Sequence, residues 1–435
     1  MIPLPTRRLA ALAAIASLAM LVLPDSLPKL LLVNGVLLVV AVVDAFLGPG
    51  PDVIEVTREM PGIIALDGTG EVTWTVRNPS NKLVRVAIAD DFAPSLRASS
   101  RRISGPLPAG RTMRATATLD PSRRGRFDID DLVVRVEGPL GLGARQRTRV
   151  LPATLRVHPA FRSRNEAALR IERARILDIG LRSAKGRGGG TDFDQLREYT
   201  PDDEFRRIDW AATARSTKPI VRTYRAERNQ NIVVLLDNGR VMAGRVGGVP
   251  RVEFAMDAAL LIATVATRLG DKVGLVAFDR EVRAVVPPSH HSSQASRVSE
   301  AMYDLEPQLA ESDYRGAFAY AMSRFRRRSM FIILTDLVEQ AIGESLLPAL
   351  PLIARSHLVV VGAVRDPEVV AWSTQSPPGP TEAHRRAAAL RSFDERARAT
   401  ARLRALGATV VDVPGHDLAP AVGDAYLAAK ATGKL

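Results

Sequence analysis

The feature that most constrains the fold is an alternation of buried-type strands and amphipathic helices in the C-terminal half of the chain. Apolar runs typical of buried strands are predicted at 231–237, 272–279, 329–336, 357–364 and 409–413. Segments with the spacing of amphipathic helices separate them. This order predicts an α/β domain with a doubly wound, mainly parallel sheet and right-handed crossovers. The exception is 282–288 (VRAVVPP), which has the pattern of an antiparallel strand.

Residues 51–158 follow a different pattern. Short runs of alternating apolar and polar residues, such as EVTWTVRN and KLVRVAIAD, are separated by turn residues at intervals of roughly ten. This pattern predicts a small antiparallel β-sandwich that precedes the α/β domain. We therefore divide the chain into two transmembrane helices at 1–50, a β-sandwich at 51–158, an Arg-rich connector at 159–230 and the α/β domain at 231–435.

The N-terminal 50 residues contain two apolar runs, 9–23 and 30–47, which are separated by the proline-containing PDSLPK. A bilayer span needs about 20 residues, so the first run is short and the second is adequate. Together they predict a transmembrane helical hairpin, and a signal peptide followed by one anchor is the alternative. Arg7 and Arg8 then place both the N-terminus and everything after Leu47 on the cytoplasmic side of the inner membrane. Asp44 is expected to reach the membrane interface.

Composition limits the kinds of chemistry and the kinds of partner. The formal net charge of +13 fits an anionic lipid or an acidic protein partner. A nucleic acid partner is not expected, because no base-reading motif accompanies the charge and aromatic residues make up only 5% of the chain. The chain has no Cys, which excludes disulfides, thiolate metal sites and Cys nucleophiles.

Two acidic residues close predicted strands, Asp237 after NIVVLL and Asp336 after FIILT. Ligands of doubly wound sheets bind at the carboxyl ends of strands. The arrangement resembles the von Willebrand factor A fold, in which Asp-x-Ser-x-Ser, a Thr loop and a distal Asp hold Mg²⁺. Here Gly239 and Val241 replace both serines, and Ser312 stands in for the Thr. The resemblance implies a degenerate metal site of Asp237, Ser312 and Asp336, with weak Mg²⁺ binding or none. The alternative is that the two acids bind backbone groups at the strand ends.

A long string at 186–215, GRGGGTDFDQLREYTPDDEFRRIDWAATAR, is the most specific motif of the chain. It resembles the signature of the bacterial "domain of unknown function fifty-eight" family, RG-x-G-T-E/D-F-x-x-x-R-E-Y, then D-x-x-R-x-I-D-W and A-R, ahead of an A-type domain. The resemblance implies a von Willebrand factor A-like C-terminal domain. It also implies association with MoxR-type AAA+ ATPases in chaperone-like maturation of other proteins. The missing serines after Asp237 put metal-dependent adhesion in doubt.

Within this string, Arg206, Arg207, Asp209 and Trp210 are the candidate partner-binding residues. They either brace the α/β domain through charge-assisted hydrogen bonds or dock a partner. We expect Asp209 and Trp210 to brace and Arg206 to dock. The basic helix at 381–405 is expected to have a solvated charged face, with anionic lipid or an acidic partner as alternatives.

The sequence thus predicts a membrane-anchored, cytoplasm-facing scaffold or adaptor that works with a MoxR-type AAA+ ATPase. No enzymatic activity and no cofactor are expected, apart from weak Mg²⁺ binding. The lipid bilayer and other A-type domain proteins are further candidate partners. One alternative is a Mg²⁺-dependent ligand-binding A-type domain. The other is a hydrolase that uses Asp192 and Asp194 as a carboxylate pair.

Overall fold

The structure is a computed structural model, and it describes residues 3–20, 26–184, 192–201, 203, 205–225, 230–338, 342–376 and 378–432. The chain divides into two compact units, Met1–His158 and Pro159–Leu435. Strands and helices occur in both units, so the prediction of a mixed α/β chain is confirmed.

The first unit begins with a two-residue strand, β1 (Leu4–Pro5), and two helices, α1 (Arg7–Met20) and α2 (Ser26–Leu47). Within the described residues, one helix is long and apolar enough to cross a membrane, at Leu27–Leu47. Helix α1 has 14 residues, fewer than the roughly 20 that a span requires. Residues 21–23 of the first apolar run lie outside the described residues. The structure therefore supports one candidate membrane helix where the sequence predicted two.

The rest of the first unit consists of two sheets. The strands are β2 (Glu55–Glu59), β3 (Ile63–Ala65), β4 (Gly70–Arg77), β5 (Val84–Asp90), β6 (Arg102–Leu107), β7 (Thr112–Leu119), β8 (Gly125–Glu137) and β9 (Gly143–His158). One sheet has the order β1-β9-β8-β5-β6, with β3 paired to β9, and the other has the order β2-β4-β7. All pairs are antiparallel except β3–β9. Alternate residues along β4 are buried, as expected of a strand with one face in a core.

A buried polar cluster joins the two sheets. Arg58 of β2 and Asp90 of β5 form an ion pair of 2.5 Å, and both side chains are at most 1% exposed. The indole Nε1 of Trp74 donates a hydrogen bond of 2.7 Å to the same carboxylate. The Trp74 ring lies 5.9 Å from that of Phe92. One acid therefore links strands from both sheets, as a satisfied buried charge requires.

Helix α2 is attached to the turn between β8 and β9 by Asp44. Its buried carboxylate accepts hydrogen bonds from the backbone N–H groups of Leu140 (2.7 Å), Leu142 (2.7 Å) and Gly143 (3.0 Å). A Cβ atom at Gly143 would lie 1.9 Å from the Ala41 carbonyl oxygen, so only glycine allows this close approach. Asp44, which was expected to reach the membrane interface, is thus buried in the first unit and bound to this turn by three N–H groups.

The second unit begins with helix α3 (Arg164–Ala184), in the segment predicted as a connector. It is followed by β10 (Asp192–Glu198), α4 (Trp210–Thr213) and β11 (Ile220–Arg225). β10 and β11 form a two-stranded antiparallel sheet, in which Leu196 pairs with Arg222. A 3-10 turn at Phe205–Arg207 precedes α4.

A six-stranded sheet forms the centre of the second unit. Its strands are β12 (Asn231–Asp237), β15 (Lys272–Phe278), β16 (Val282–Ser289), β17 (Ser329–Leu334), β18 (Leu358–Arg365) and β19 (Thr409–Pro414), and β13 (Arg245–Val246) pairs with β14 (Val249–Pro250) outside it. The order is β16-β15-β12-β17-β18-β19. β16 is antiparallel to β15, and the remaining pairs are parallel. The five strands predicted from apolar runs occur within two residues of their expected bounds.

Helices pack on both faces of this sheet. The helices that follow β12 are α5 (Arg240–Ala243), α6 (Arg251–Arg268), α7 (Gln294–Met302), α8 (Tyr314–Arg324), α9 (Leu347–Ala349), α10 (Pro351–Ala354), α11 (Pro367–Thr374), α12 (Pro380–Ala405) and α13 (Gly415–Ala431), of which α11 packs against α12. Ile232, Val234 and Leu236 of β12 lie in one core with α6, α7 and α13. Val233 and Leu235 lie in a second core with α8 and α12. Burial on both faces explains why β12 is a continuous apolar run.

Helix α3 is bound to the helices of this unit rather than being a free connector. The Ser163 hydroxyl, just before α3, donates a hydrogen bond of 2.9 Å to the buried Asp257 of α6. Arg170 pairs with Asp424 of α13 at 2.9 Å and with Glu166 of its own helix. Burial would lower the pKa of Arg170, but these two acids together raise it. The first turns of α3 therefore belong to the packed body of the second unit.

Candidate functional site

The carboxyl edge of the six-stranded sheet is the first candidate site. The chain runs from β12 to β15 on one side and later returns to β17 on the other, so the strand order reverses at β12. Ligands of open α/β sheets bind at such reversals. Three buried acids follow or end the adjacent strands here, Asp237, Asp279 and Asp336.

Asp237 has a full set of hydrogen-bond donors from the protein. Its Oδ1 accepts from the Ser312 hydroxyl at 2.5 Å and from the Gly239 backbone N–H at 2.9 Å. Its Oδ2 accepts from the Tyr314 hydroxyl at 2.7 Å and from the Thr335 hydroxyl at 2.6 Å. A carboxylate has about four lone-pair sites, so these donors leave none free for an ion.

Tyr314 fills the space beside Asp237. It is 2% exposed, and its ring contacts Phe278 edge-on at 5.4 Å. Burial and the Asp237 carboxylate raise the pKa of its hydroxyl well above the usual value, so the hydroxyl stays protonated as a donor. Neither Tyr314 nor Thr335 was identified from the sequence. Tyr314 lies two positions after Ser312, and Thr335 immediately precedes Asp336.

Asp336 is held by two arginines. Its Oδ2 lies 3.2 Å from Arg251 Nε, and its Oδ1 accepts a hydrogen bond of 2.8 Å from Arg396 Nη1. Arg396 also donates from Nη2 to Asp412 at 2.6 Å. Its side chain is 12% exposed. Burial would lower the pKa of Arg396, but Asp336 and Asp412 together raise it, so the guanidinium stays charged.

These contacts decide how the predicted metal residues are arranged. Asp237 and Ser312 meet in a direct hydrogen bond, whereas Asp336 faces arginines. Among the described residues, no group of three or more His, Asp or Glu side chains is placed to hold a metal ion. The helix at 381–405 has the expected solvated charged face, where Arg391 is 80% exposed. Arg396 of the same helix instead points into the protein and supplies a positive charge beside Asp336.

Introducing a serine at Gly239 should destabilise the second unit rather than create a metal site. A Cβ atom there would lie 2.0 Å from Ser312 Oγ and 2.9 Å from the Ala310 carbonyl oxygen. We expect Gly239→Ser to lower the free energy of unfolding by about 1–3 kcal/mol, as overpacking does, without Mg²⁺-dependent recovery. Thermal unfolding with and without MgCl₂ measures both effects. Gly239→Ala, which adds the same Cβ, is the control; stabilisation of the serine variant alone by Mg²⁺ would contradict this expectation.

The second candidate site is the segment between β10 and β11. Asp209 caps α4 by accepting hydrogen bonds of 3.0 Å from the N–H groups of Ala211 and Ala212. Arg222 of β11 donates to the same carboxylate at 2.6 Å. These contacts, the Arg222 hydrogen bond first, lower the pKa of Asp209. Asp209 therefore ties α4 to the β10–β11 sheet.

A second ion pair orders the loop after β10. Arg197 binds Asp203 through two hydrogen bonds, of 2.7 and 2.5 Å. The Thr200 N–H and hydroxyl also donate to Asp203. The hydrogen bonds from Arg197 are the main reason that the pKa of Asp203 falls to about 2. Together the two ion pairs fix the backbone on both sides of the 3-10 turn at Phe205–Arg207.

The aromatic residues of this segment are exposed. Trp210 is 61% exposed and Phe205 is 66% exposed, and their rings meet edge-on at 5.7 Å. Arg206, between them in sequence, is also exposed. Trp210 was expected to brace the α/β domain, but most of its side chain is exposed to solvent. Phe205 was not singled out from the sequence.

Some predicted features lie outside the described residues. These are the glycines at 186–190 and the side chains of Asp192, Asp194 and Arg207.

Comparison with known proteins finds a family model that matches the second candidate site from residue 195 onward. Residues 195–371 match a family described as "Protein of unknown function DUF58". Uncharacterized proteins of Mycobacterium tuberculosis (strain H37Rv) and Mycobacterium bovis are each 29% identical to this chain over 190 residues. The match covers 42% of this chain and 57% of each relative. The chain thus spans a little more than half the length of these relatives.

Similarity to solved structures is low. The CARDB domain of a Pyrococcus furiosus protein covers 24% of this chain and 86% of that domain, at 13% identity and a TM-score of 0.19. The C-terminal domain of wzt covers 25% of this chain and 75% of that domain, at 12% identity and a TM-score of 0.18. Similarities at this level carry no argument about fold or function.

Proposed function

We propose that this chain, which belongs to the DUF58 family of unknown function, is a membrane-anchored, non-catalytic scaffold that captures a partner protein through its second unit. The observation that carries the proposal is the exposed aromatic pair Phe205 and Trp210 on an ordered part of the family segment. Large aromatic side chains are normally buried, and an exposed pair beside arginine is typical of protein–protein contact sites.

The second unit is proposed to be a von Willebrand factor A-like domain. The reversal of strand order at β12, the antiparallel edge strand β16 and the helices on both faces of the sheet support this assignment. The position that holds the metal in A-type domains would then correspond to the crevice beside Asp237. In this chain hydroxyl groups fill that crevice.

The scaffold proposal includes the absence of a resident metal ion and of catalysis. It is supported by the way in which the acids at the sheet edge are occupied. Asp237 binds three hydroxyls and one N–H, Asp336 binds two arginines, and Asp279 binds Arg283 at 2.7 Å. An acid–base pair or a metal site would need at least one of these carboxylates to be available to a substrate or an ion.

The docking surface consists of Phe205, Arg206 and Trp210. Its backbone is held by the Asp209–Arg222 and Arg197–Asp203 pairs, so little ordering entropy would be lost on binding. Trp and Arg are the residues most enriched at binding hot spots. The positive charge of Arg206 predicts an acidic surface on the partner. We propose a MoxR-type AAA+ ATPase as this partner, as the family resemblance implies.

The anchor is proposed to be α2, with α1 as the other arm of a hairpin. Helix α2 carries exposed apolar side chains along its length, including Leu31, Leu38 and Leu47. Arg7 and Arg8 at the start of α1 favour a cytoplasmic location for the N-terminus and for the residues after Leu47.

Replacing Trp210 should weaken capture of the partner without unfolding the protein. We expect Trp210→Ala to raise the Kd for the MoxR-type ATPase by at least roughly thirtyfold, which corresponds to a hot-spot loss of about 2 kcal/mol. Because Trp210 is 61% exposed, the melting temperature should stay close to that of the parent. The measurement is binding of the purified ATPase to the full chain in detergent, with thermal unfolding measured in parallel.

Trp372 provides a matched control, because it is a second exposed tryptophan of the same unit (40%) outside the docking surface. Trp372→Ala should bind the ATPase like the parent, and Arg206→Glu should bind more weakly. Equal affinities for the parent, Trp210→Ala and Arg206→Glu would contradict the proposed docking surface.

A further inference from the structure

In the first unit, the start of α1 and the end of α2 meet at one place, the turn between β8 and β9. β1, just before α1, pairs with the start of β9, with Pro5 opposite Gly143. The Thr6 hydroxyl donates a hydrogen bond of 2.6 Å to the Gly141 carbonyl. The Asp44 carboxylate of α2 accepts hydrogen bonds from backbone N–H groups of the same turn. The start of α1 and the end of α2 therefore both lie at the β8–β9 turn.

Four basic side chains surround this junction, and we call them the basic collar: Arg8, Lys82, Arg135 and Arg145. Lys82 donates to the Leu47 carbonyl at 3.1 Å, and Arg145 donates to the Gly48 carbonyl at 2.6 Å. Arg135 donates to the Pro5 carbonyl at 3.1 Å. The Arg8 guanidinium lies over Gly141, within 3.0 Å of where a Cβ would be.

The charge of the collar is not neutralised by these contacts. The acceptors for Lys82, Arg135 and Arg145 are backbone carbonyls, which carry no net charge. Asp44 is buried beneath the turn and bound to N–H groups, and Asp52 is paired with Arg147. A guanidinium has five N–H donors, so the collar retains donors for an outside ligand.

The position of the collar indicates what that ligand is. The apolar side chains of α2 remain exposed up to its last turn, where Phe46 is 54% and Leu47 is 53% exposed. Arg145 lies over the Phe46 ring at 5.2 Å. Leu140, in the attached turn, is 57% exposed. An apolar helix that ends in aromatic and basic side chains matches the boundary between hydrocarbon and phospholipid headgroups.

We propose that the basic collar is a binding site for the phosphate groups of anionic phospholipids in the leaflet that contacts the first unit. The proposal rests on the proposed membrane anchorage through α2. Lipid phosphates would bridge the guanidinium groups by charge-assisted hydrogen bonds. This would fix the height of the β8–β9 turn at the membrane surface.

The full chain, purified in dodecyl maltoside, tests the proposal by titration with phosphatidylglycerol, phosphatidylcholine or inorganic phosphate. We expect native mass spectrometry to show phosphatidylglycerol retained with at least roughly tenfold higher affinity than phosphatidylcholine, since several basic residues each add about fivefold. Equal retention of the two lipids would overturn the proposal. Complete competition by millimolar inorganic phosphate would also overturn it, because the site would then bind free anions.

Single substitutions locate the site. Arg145→Gln and Lys82→Gln should each weaken phosphatidylglycerol binding by about fivefold. Lys82 is exposed, so its loss is not expected to affect folding. Arg114→Gln, at an exposed position on β7 outside the collar, is the control with the same change of charge and should bind like the parent. Collar variants that bind phosphatidylglycerol like the control would refute the assignment.

Extraction of membranes with alkaline carbonate separates this proposal from the anchor on which it rests. Parent and collar variants should all remain in the membrane fraction, because the apolar surface of α2 is unchanged. Release of the parent would refute the anchor, whereas retention with no lipid preference in the titration would refute only the collar.

Discussion

Replacing Arg396 with methionine is expected to lower the free energy of unfolding of the second unit by about 3–5 kcal/mol. Arg396 is 12% exposed and bonds to both Asp336 and Asp412. Its removal leaves Asp412 with Arg365, at 3.5 Å, and Asp336 with Arg251. Hydrogen exchange of the Ile332 and Ile333 amides of β17, in the full chain, reports on this unit alone.

Arg391 on the same helix provides the matched control. It is 80% exposed and pairs with Glu395 one turn along α12, so Arg391→Met should cost no more than about 0.5 kcal/mol. Adding Asp336→Asn and Asp412→Asn to Arg396→Met should recover part of the loss, because the unpaired charges are removed. Similar exchange rates for Arg396→Met and Arg391→Met would show that Arg396 is not an internal countercharge.

The strands of the second unit could be predicted because the signal is local. In β12, residues 232–237 are all buried, and a strand covered on both faces is apolar throughout. The antiparallel edge strand β16 was recognised from the local pattern VRAVVPP at 282–288, and it pairs with β15 in the antiparallel sense. Such patterns depend on neighbouring residues, so one sequence contains them.

The contacts at the sheet edge could not be predicted, because they join distant residues. Tyr314 reaches Asp237 across 77 positions, and Arg396 reaches Asp336 across 60. On the sequence, Arg396 looks like other arginines of a basic helix, and only the fold shows which one points inward. The N–H partners of Asp44 could not be predicted for the same reason, since they lie 96 to 99 residues away.

The exposed docking surface shows a different limit. The motif around Asp209 and Trp210 indicated that the segment matters, but it did not say which side chains face solvent. Asp209 forms contacts inside the segment, whereas Trp210 projects from it. Burial depends on which element covers a residue, and a tryptophan in a short loop motif gives no such information.

The second large effect is expected at Asp237. Asp237→Ala should lower the free energy of unfolding of the second unit by about 3–5 kcal/mol, because it removes the acceptor of four donors in a fully buried position. Each donor left without a partner costs about 1–3 kcal/mol. The Tyr314 and Thr335 hydroxyls, 2.8 Å apart, can still form a hydrogen bond with each other. The expected loss is therefore smaller than the summed cost of four unpaired donors. Hydrogen exchange in β12 measures the loss.

Asp313→Ala is the control for Asp237→Ala. Asp313 is an exposed acid that caps α8 by accepting from Gly316 N–H, so its loss should cost about 1 kcal/mol. Magnesium separates the proposed hydroxyl network from the metal-dependent alternative, because an ion that binds only the folded state stabilises it. For the network, MgCl₂ should have the same effect on the parent and on Asp237→Ala as NaCl at equal ionic strength. Magnesium-specific stabilisation of the parent that disappears in Asp237→Ala would instead establish Asp237 as an ion ligand, and the scaffold would then be a metal-dependent binding domain.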